Sequence, residues 1–238
     1  MAAGDFDYDA GGGVGYAERR RTDPRIAAYV HAALGDARTV LNVGAGAGSY
    51  EPADRYVVAV EPSAAMRAQR STPAVIGVAE ALPFDDDAFD AAMATVTIHQ
   101  WRDAARGMAE LRRVARRVVI LTFDPAAVPA WWLGEYVPEM LAGEAARYPA
   151  LETLGGEVTP VPIPLDCSDG FIEAFYGRPE ALLDPEVRRS QSAWAFGAHA
   201  RGLERLTEDL ASGAWDARHG HLRTQPSFDG SLRLVVVP

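Results

Sequence analysis

Lysine is missing from this 238-residue chain: all 23 of its basic residues are arginine, a trait of composition rather than of mechanism. Cysteine is nearly missing too. Cys167 stands alone, so an intrachain disulfide is excluded, as is any Cys/His spacing suited to zinc. No apolar run approaches the roughly 20 residues that a membrane span needs. The opening MAAGDFDYDAGGG is acidic and has no apolar stretch of the kind a secretory signal carries, so a cytoplasmic protein without membrane contact is expected. A formal charge of -10 leaves little cationic surface for a phosphate backbone, and nucleic acid is not the expected partner. Arg19, Arg20 and Arg21 form the one dense basic run. No internal repeat or low-complexity linker interrupts the chain.

What is present reads as a folded α/β protein. Apolar residues make up 48% and charged residues 24% of the chain, which argues against disorder, and the length suits one domain with a substantial core. The stretch Thr39 to Pro62, TVLNVGAGAGSYEPADRYVVAVEP, reads as strand, glycine turn, strand and acid. Thr39 to Val43 suit a buried strand that ends on Gly44, Ala45, Gly46, Ala47 and Gly48. Glycine permits positive φ and leaves no Cβ between backbone and ligand. A second apolar run, Tyr56 to Val60, delivers Glu61 at its carboxyl end, where a carboxylate can accept both hydroxyls of a ribose.

The spacing bears on which nucleoside is meant. Ser49 stands where the dinucleotide fingerprint G-x-G-x-x-G needs its third glycine. Only Ser49 to Arg55 precede the next strand, with Pro52 among them, so no long helix can form there. A pyrophosphate wants the N-terminus of a helix; S-adenosylmethionine has ribose and adenine but no phosphate. Glycines in many such turns are purely structural, and it is the strand, glycines and terminal acid together that indicate a ligand.

Along the rest of the chain, residues 1 to 15 read as a polar, glycine-rich arm. Phe6, Tyr8 and Tyr16 make it either a flap over the site or a frayed tail. Asp23 and Pro24 open a helix whose apolar face is Ile26, Tyr29, Val30, Ala33 and Leu34, closed by Gly35. Ser63 caps a helix through Arg70. Val75-Ile76 reads as the third strand, Ala91 to Thr95 as the fourth and Val118 to Thr122 as the fifth. Asp85, Asp86 and Asp87 lack the spacing of a calcium loop and form a solvated turn. Pro129 to Tyr148 read as a helical, aromatic-rich segment, either packed on the sheet or roofing a cavity. Val158 to Pro164 suit an edge strand, Asp184-Pro185 another helix start, and Ser231 to Val237 a final strand. The architecture this implies is an α/β core with a helical insertion before the final strand. Its parts are an N-terminal flap and helix (1–35), a cofactor-binding core (36–125), a substrate-side cap with one edge strand (126–230) and the final strand (231–238).

VLNVGAGAGSYEP, VVAVEPSAAM, AEALPFDDDAFDAAMATVTIHQW and ELRRVARRVVILTFDP, in that order, resemble class I S-adenosylmethionine-dependent methyltransferases. They resemble in particular the small-molecule group similar to ubiquinone and menaquinone biosynthesis enzymes, which implies a Rossmann-like open sheet, mostly parallel with an antiparallel final strand, and a helical cap over the active site. The resemblance implies that Gly44, Ala45 and Gly46 approach the cofactor by backbone, that Glu61 beside Pro62 binds the ribose, and that Met66 touches adenine. It further implies that Ala79 offers its N–H to adenine, that Thr95 meets the methionine ammonium, and that Tyr16 and Arg20 reach the carboxylate or sulfonium end. Where many members carry Asp before the Ala-Glu pair, this chain has Val78, so adenine recognition falls to backbone, Glu80 or packing. S-adenosylhomocysteine would be the product.

Methyl transfer from a sulfonium is an in-line displacement, so alignment in a dry pocket does most of the work. His99, after the fourth strand, is the candidate base or else only shapes the pocket. Tyr8, Gln100, Trp101, Trp131, Trp132 and Tyr136 are the candidate substrate contacts. His199, His219 and His221 are not expected to be catalytic, and Asp166 and Asp169 read equally as substrate contacts or turn formers. Three functions stay open: methyl transfer to an O-, N- or C-nucleophile of a small molecule, as in natural-product metabolism; a non-methylating role of the bound cofactor, such as cyclisation; and a nucleotide-dependent oxidoreductase, disfavoured by the short segment after Gly48.

Overall fold

The computed structural model describes residues 8–9, 15–195 and 197–238. Phe6 and the glycine-rich part of the expected flap lie outside the described residues. In chain order the elements are α1 (Tyr16–Arg19), α2 (Pro24–Ala33), β1 (Thr39–Val43), β2 (Tyr56–Val60), α3 (Ala64–Arg67), β3 (Ala91–Thr95), α4 (Ala104–Val114) and β4 (Val118–Phe123). Then come α5 (Pro138–Ala145), α6 (Leu151–Leu154), β5 (Glu157–Pro160), β6 (Ile163–Pro164), α7 (Pro185–Arg189), α8 (Ala200–Ser212), α9 (Ala214–His219), β7 (Ser227–Phe228) and β8 (Leu232–Val237).

Six strands make one sheet in the order β2-β1-β3-β4-β8-β5, and β6 with β7 form a separate two-stranded ribbon. β1 pairs parallel with β2 and β3, and β3 with β4, while β8 runs antiparallel to both β4 and β5. All six residues of β4 are buried, as a strand covered on both faces requires. Val119, Leu121 and Phe123 face the cluster that α2 and the cap build with Ile26, Val30 and Trp132. Val118 and Ile120 face the opposite cluster, where α4 contributes Met108 and Leu111. This alternation is the period of two expected of a strand, and each such Leu or Ile contributes about 1.5–3 kcal/mol by leaving water.

The caps form as their residues dictate. Asp23 accepts a hydrogen bond from the Arg25 N–H at the start of α2, and Ser63 one from the Met66 N–H at the start of α3. Some expectations are corrected. The helix after Ser63 ends at Arg67, not Arg70, and Tyr29 faces solvent with 40% of its surface exposed. Val75-Ile76 does not make a strand: Val75 contributes an isolated bridge to Val60, and Ile76 stays 71% exposed. Pro129 to Tyr148 is broken, with a short 3-10 turn over Trp132–Glu135 before α5. Pro138 is the cause, since proline suits the first turn of a helix and cannot continue one. Among the described residues no helix is long and apolar enough to cross a membrane, and no His/Cys/Asp/Glu group could hold a metal ion.

Candidate active site

From β1 the chain goes outward to β2 and then returns to β3 on the other side of β1. The loops leaving β1 and β3 therefore diverge at a reversal of strand order, which opens a crevice at the carboxyl ends. No helix intervenes between β1 and β2; the chain turns through Gly44, Gly46 and Gly48 at φ of 67°, 52° and 99°. At Gly44 a Cβ would stand 2.2 Å from Thr97 Oγ1, so the two loops touch and only glycine fits. The Gly44 and Ala45 N–H groups both donate to the Val60 carbonyl, at 2.9 and 3.0 Å. On the β3 side, Val96 holds φ 52°, a costly conformation for a β-branched residue that recurs at functional sites.

Glu61 follows β2 into the crevice with 6% of its surface exposed. One carboxylate oxygen accepts the Gly46 N–H at 2.7 Å and the other the Ser63 N–H at 2.8 Å. Burial raises its pKa above the ordinary carboxyl range, against the lowering effect of those two amides and of Arg67 and Arg70. Each oxygen keeps a further lone pair for a ligand hydroxyl.

The crevice is a cavity of about 700 Å³, ample for a small-molecule ligand. Of the residues expected to hold the cofactor, Tyr16, Gly44, Ala45, Gly46 and Glu61 line it, with Pro62, Met66, Ala79, Glu80 and Thr95. Arg20 does not. The Glu80 carboxylate accepts the N–H groups of Arg102 and Asp103, at 2.7 and 3.1 Å, which fixes the approach to α4.

Behind the cavity lies a second, narrower chamber of about 40 Å³. Tyr8, Tyr16 and Val96 line both spaces and so form the doorway between them. His99 is in the chamber wall, 3% exposed, with its ring 4.7 Å from that of Tyr148. Its Nδ1 is buried and, among the described residues, has no hydrogen-bond partner. Burial first, then Arg147 and Arg20, hold its pKa well below the usual 6.5, so the imidazole is neutral at physiological pH.

The expected substrate contacts divide. Trp131 lines the chamber, while Gln100 and Trp101 line the larger cavity instead. Trp132 and Tyr136 line neither: the Trp132 indole donates to the Tyr176 carbonyl at 2.8 Å, and the Tyr136 hydroxyl donates to Asp209 at 2.7 Å. Their rings belong to the cap's own core, where His219 also packs. Asp166 is exposed and pairs with Arg25. Asp169 is buried, takes the Arg20 guanidinium at 2.5 Å and accepts the Tyr50 hydroxyl at 2.7 Å, so Arg20 is held in the chamber wall with its charge matched.

Sequence reasoning passed over Glu144, Tyr148 and Glu173, all in the chamber wall. The Tyr148 hydroxyl donates to Glu144 at 2.9 Å, and Glu144 also pairs with Arg147 at 2.6 Å. Glu173 is 2% exposed and accepts the Ser231 N–H and hydroxyl, both at 2.9 Å. A signal for it existed: one acid inside Phe171-Ile172-Glu173-Ala174-Phe175 is out of place unless it faces a polar interior.

The model of a methyltransferase domain matches residues 41–123, the span of the two loops that shape the larger cavity. Uncharacterized methyltransferases of Mycobacterium bovis and Mycobacterium tuberculosis are 36% identical over 121 residues, 47% of this chain and 49% of theirs. The chain thus spans about half the length of the curated relatives it matches. Among solved structures, a putative type II methyltransferase from Anaeromyxobacter dehalogenans shares the fold, with TM-score 0.52 at 21% identity over 92% of this chain and 96% of its own. A putative methyltransferase from an antibiotic biosynthesis pathway of Anabaena variabilis matches with TM-score 0.84 at 30% identity, over 92% of this chain and 99% of its own. That agreement runs through cap as well as core, and with it the chain belongs to the class I S-adenosylmethionine-dependent methyltransferases.

Proposed function

We propose that this protein transfers the methyl group of S-adenosylmethionine to an O-, N- or C-nucleophile of a small molecule, in natural-product metabolism. The observation that carries the reading is the doorway of Tyr8, Tyr16 and Val96, which joins a nucleoside-sized cavity to a narrow chamber with aromatic and polar walls. The residues of the larger cavity suit the donor. Glycine backbone at positive φ presents a wall without Cβ atoms, Glu61 has lone pairs free for ribose hydroxyls, and both polar atoms of the Gln100 amide are buried without a partner among the described residues. The absence of a helix between β1 and β2 disfavours a pyrophosphate cofactor.

When bound, the donor supplies an electrophilic methyl on a sulfonium. The chain's own residues bind and orient. Glu61 is aimed by the amides of Gly46 and Ser63, Met66 packs against the glycine loop with its methyl 3.3 Å from where a Gly46 Cβ would stand, and Thr95 and Gly44 flank the methionine end. Tyr8 and Tyr16 narrow the passage and exclude water, which sharpens alignment. The neutral imidazole of His99 is available to take a proton from an O–H or N–H nucleophile. The 30%-identical Anabaena protein, described by its place in antibiotic biosynthesis, supports the natural-product assignment. The chain's net charge of -10 and the narrow chamber favour a small acceptor over nucleic acid.

Titration calorimetry with S-adenosylhomocysteine tests the donor site. The wild-type protein binds it, and Glu61→Ala weakens binding by about 1.5–3 kcal/mol, the range for a hydrogen bond to a charged group. Equal affinity in the two proteins refutes the assignment of Glu61. A mass gain of one methylene on an accepted substrate separates methyl transfer from a non-methylating role.

A further inference from the structure

Charges in and around the chamber balance in pairs, with one exception. Arg20 is matched by Asp169 at 2.5 Å and Arg147 by Glu144 at 2.6 Å. Glu173 is as deeply buried as any of these, yet among the described residues it makes no ion pair; its partners are the neutral N–H and hydroxyl of Ser231. The nearest cation on the β8 side, Arg233, lies between Asp229 at 3.5 Å and Asp124 at 3.9 Å, so its charge is already answered. Burial pushes the Glu173 carboxyl up to about 7, against the opposing pull of Ser231 and Arg233. A buried carboxylate without a cation is held at a cost of several kcal/mol, and a ligand that brings the cation removes that cost.

The walls around this carboxyl are aromatic. Phe123 lies 5.7 Å from Tyr148 and 5.5 Å from Phe171, ring centre to ring centre, and Trp131 lines the same space with its indole N–H unpartnered among the described residues. Aromatic faces stabilise a desolvated cation. The chamber's volume of about 40 Å³ is room for about three waters, which admits a small ammonium head group.

We propose that the chamber receives a basic nitrogen of the acceptor, an amine-type cation, with Glu173 as its counter-ion and hydrogen-bond acceptor. This rests on the methyltransferase reading above, and it assigns Glu173 a binding role that selects acceptors by charge. An alcohol or a carboxylic acid of the same shape is discriminated against, since neither supplies the missing positive charge.

The experiment compares phenethylamine with phenethyl alcohol by calorimetry on the full chain saturated with S-adenosylhomocysteine. At pH 8 the wild type binds the amine at least about tenfold more tightly than the alcohol, the lower end for a charge-assisted hydrogen bond. Glu173→Gln keeps the Ser231 contacts, still binds S-adenosylhomocysteine and loses the preference. The wild-type preference also shrinks by about tenfold or more at pH 5, where the carboxyl takes a proton while the amine stays charged; this readout needs no variant. Equal binding of the two probes, binding of neither, a preference that survives in Glu173→Gln, or one unchanged at pH 5 overturns the proposal. Failure of the wild type to bind S-adenosylhomocysteine overturns the methyltransferase reading instead.

Discussion

Replacing Glu173 by glutamine removes one ionisable group from the interior while keeping a carbonyl oxygen to accept the Ser231 N–H and hydroxyl, both now at 2.9 Å. The carboxyl's pKa is higher in the fold, about 7 against an ordinary 4.5, so the folded chain holds this proton more tightly than the unfolded one. Its contribution is complete below about pH 4.5 and is lost as pH rises through about 7. The loss amounts to roughly 3 kcal/mol, at about 1.4 kcal/mol per unit. Glutamine does not titrate, and the groups around it, Arg233, Asp229, Arg20, His99 and Glu144, are common to both proteins. The two proteins should therefore be closest in stability at pH 5, with the advantage of Glu173→Gln growing to about 3 kcal/mol at pH 8.5. For a chain of this length that is roughly 6–12 °C in melting temperature. Urea unfolding at pH 5, 7 and 8.5 reads it. A difference that does not change with pH refutes both the burial of an unpaired carboxylate and the sign of its linkage.

Three further outcomes follow from the site. Gly44→Ala places a Cβ 2.2 Å from Thr97 Oγ1 at a φ of 67° and costs about 1–3 kcal/mol or more; Thr97→Gly recovers part of it in a double-mutant cycle, and additive costs would show that the two loops do not touch. Asp169→Ala strands the buried Arg20 guanidinium and frees the Tyr50 hydroxyl, for a loss of about 3–5 kcal/mol by chemical denaturation; a loss under 1 kcal/mol would mean that water replaces the carboxylate. His99→Ala lowers turnover by about 10²–10⁴ and leaves S-adenosylhomocysteine affinity intact, and the wild-type rate shows no imidazole inflection near pH 6.5 because burial keeps that ring neutral; unchanged turnover would reduce His99 to a wall.

The donor half of the molecule was legible in the sequence because its signals are local. Glycines that take positive φ, Asp23 and Ser63 at helix starts, and Glu61 at a strand end each act within a few residues of themselves, and each sits where the sequence put it. The acceptor half was not legible. Arg20 is held in the chamber wall by Asp169, a partner 149 positions away, and Trp132 and Tyr136 turn inward because Tyr176 and Asp209 offer hydrogen bonds that no local pattern reveals. Glu173 is the sharpest case, since its role depends on Ser231 at 58 positions' remove and on the lack of a cation nearby. Strand Val75-Ile76 failed for a related reason: two apolar residues beside Pro73 are too few to hold an edge.

β8 sits inside the sheet, between β4 and β5, although about a hundred residues of cap separate it in the chain from β4. On a ribosome, β1 to β4 emerge first with one flank of β4 still open, and the whole cap must follow before that flank can be sealed. Closing so large a loop is slow and entropically costly. The nascent chain therefore passes through a stage in which β4 exposes an unpaired edge, the period when it is most open to chaperones and to aggregation.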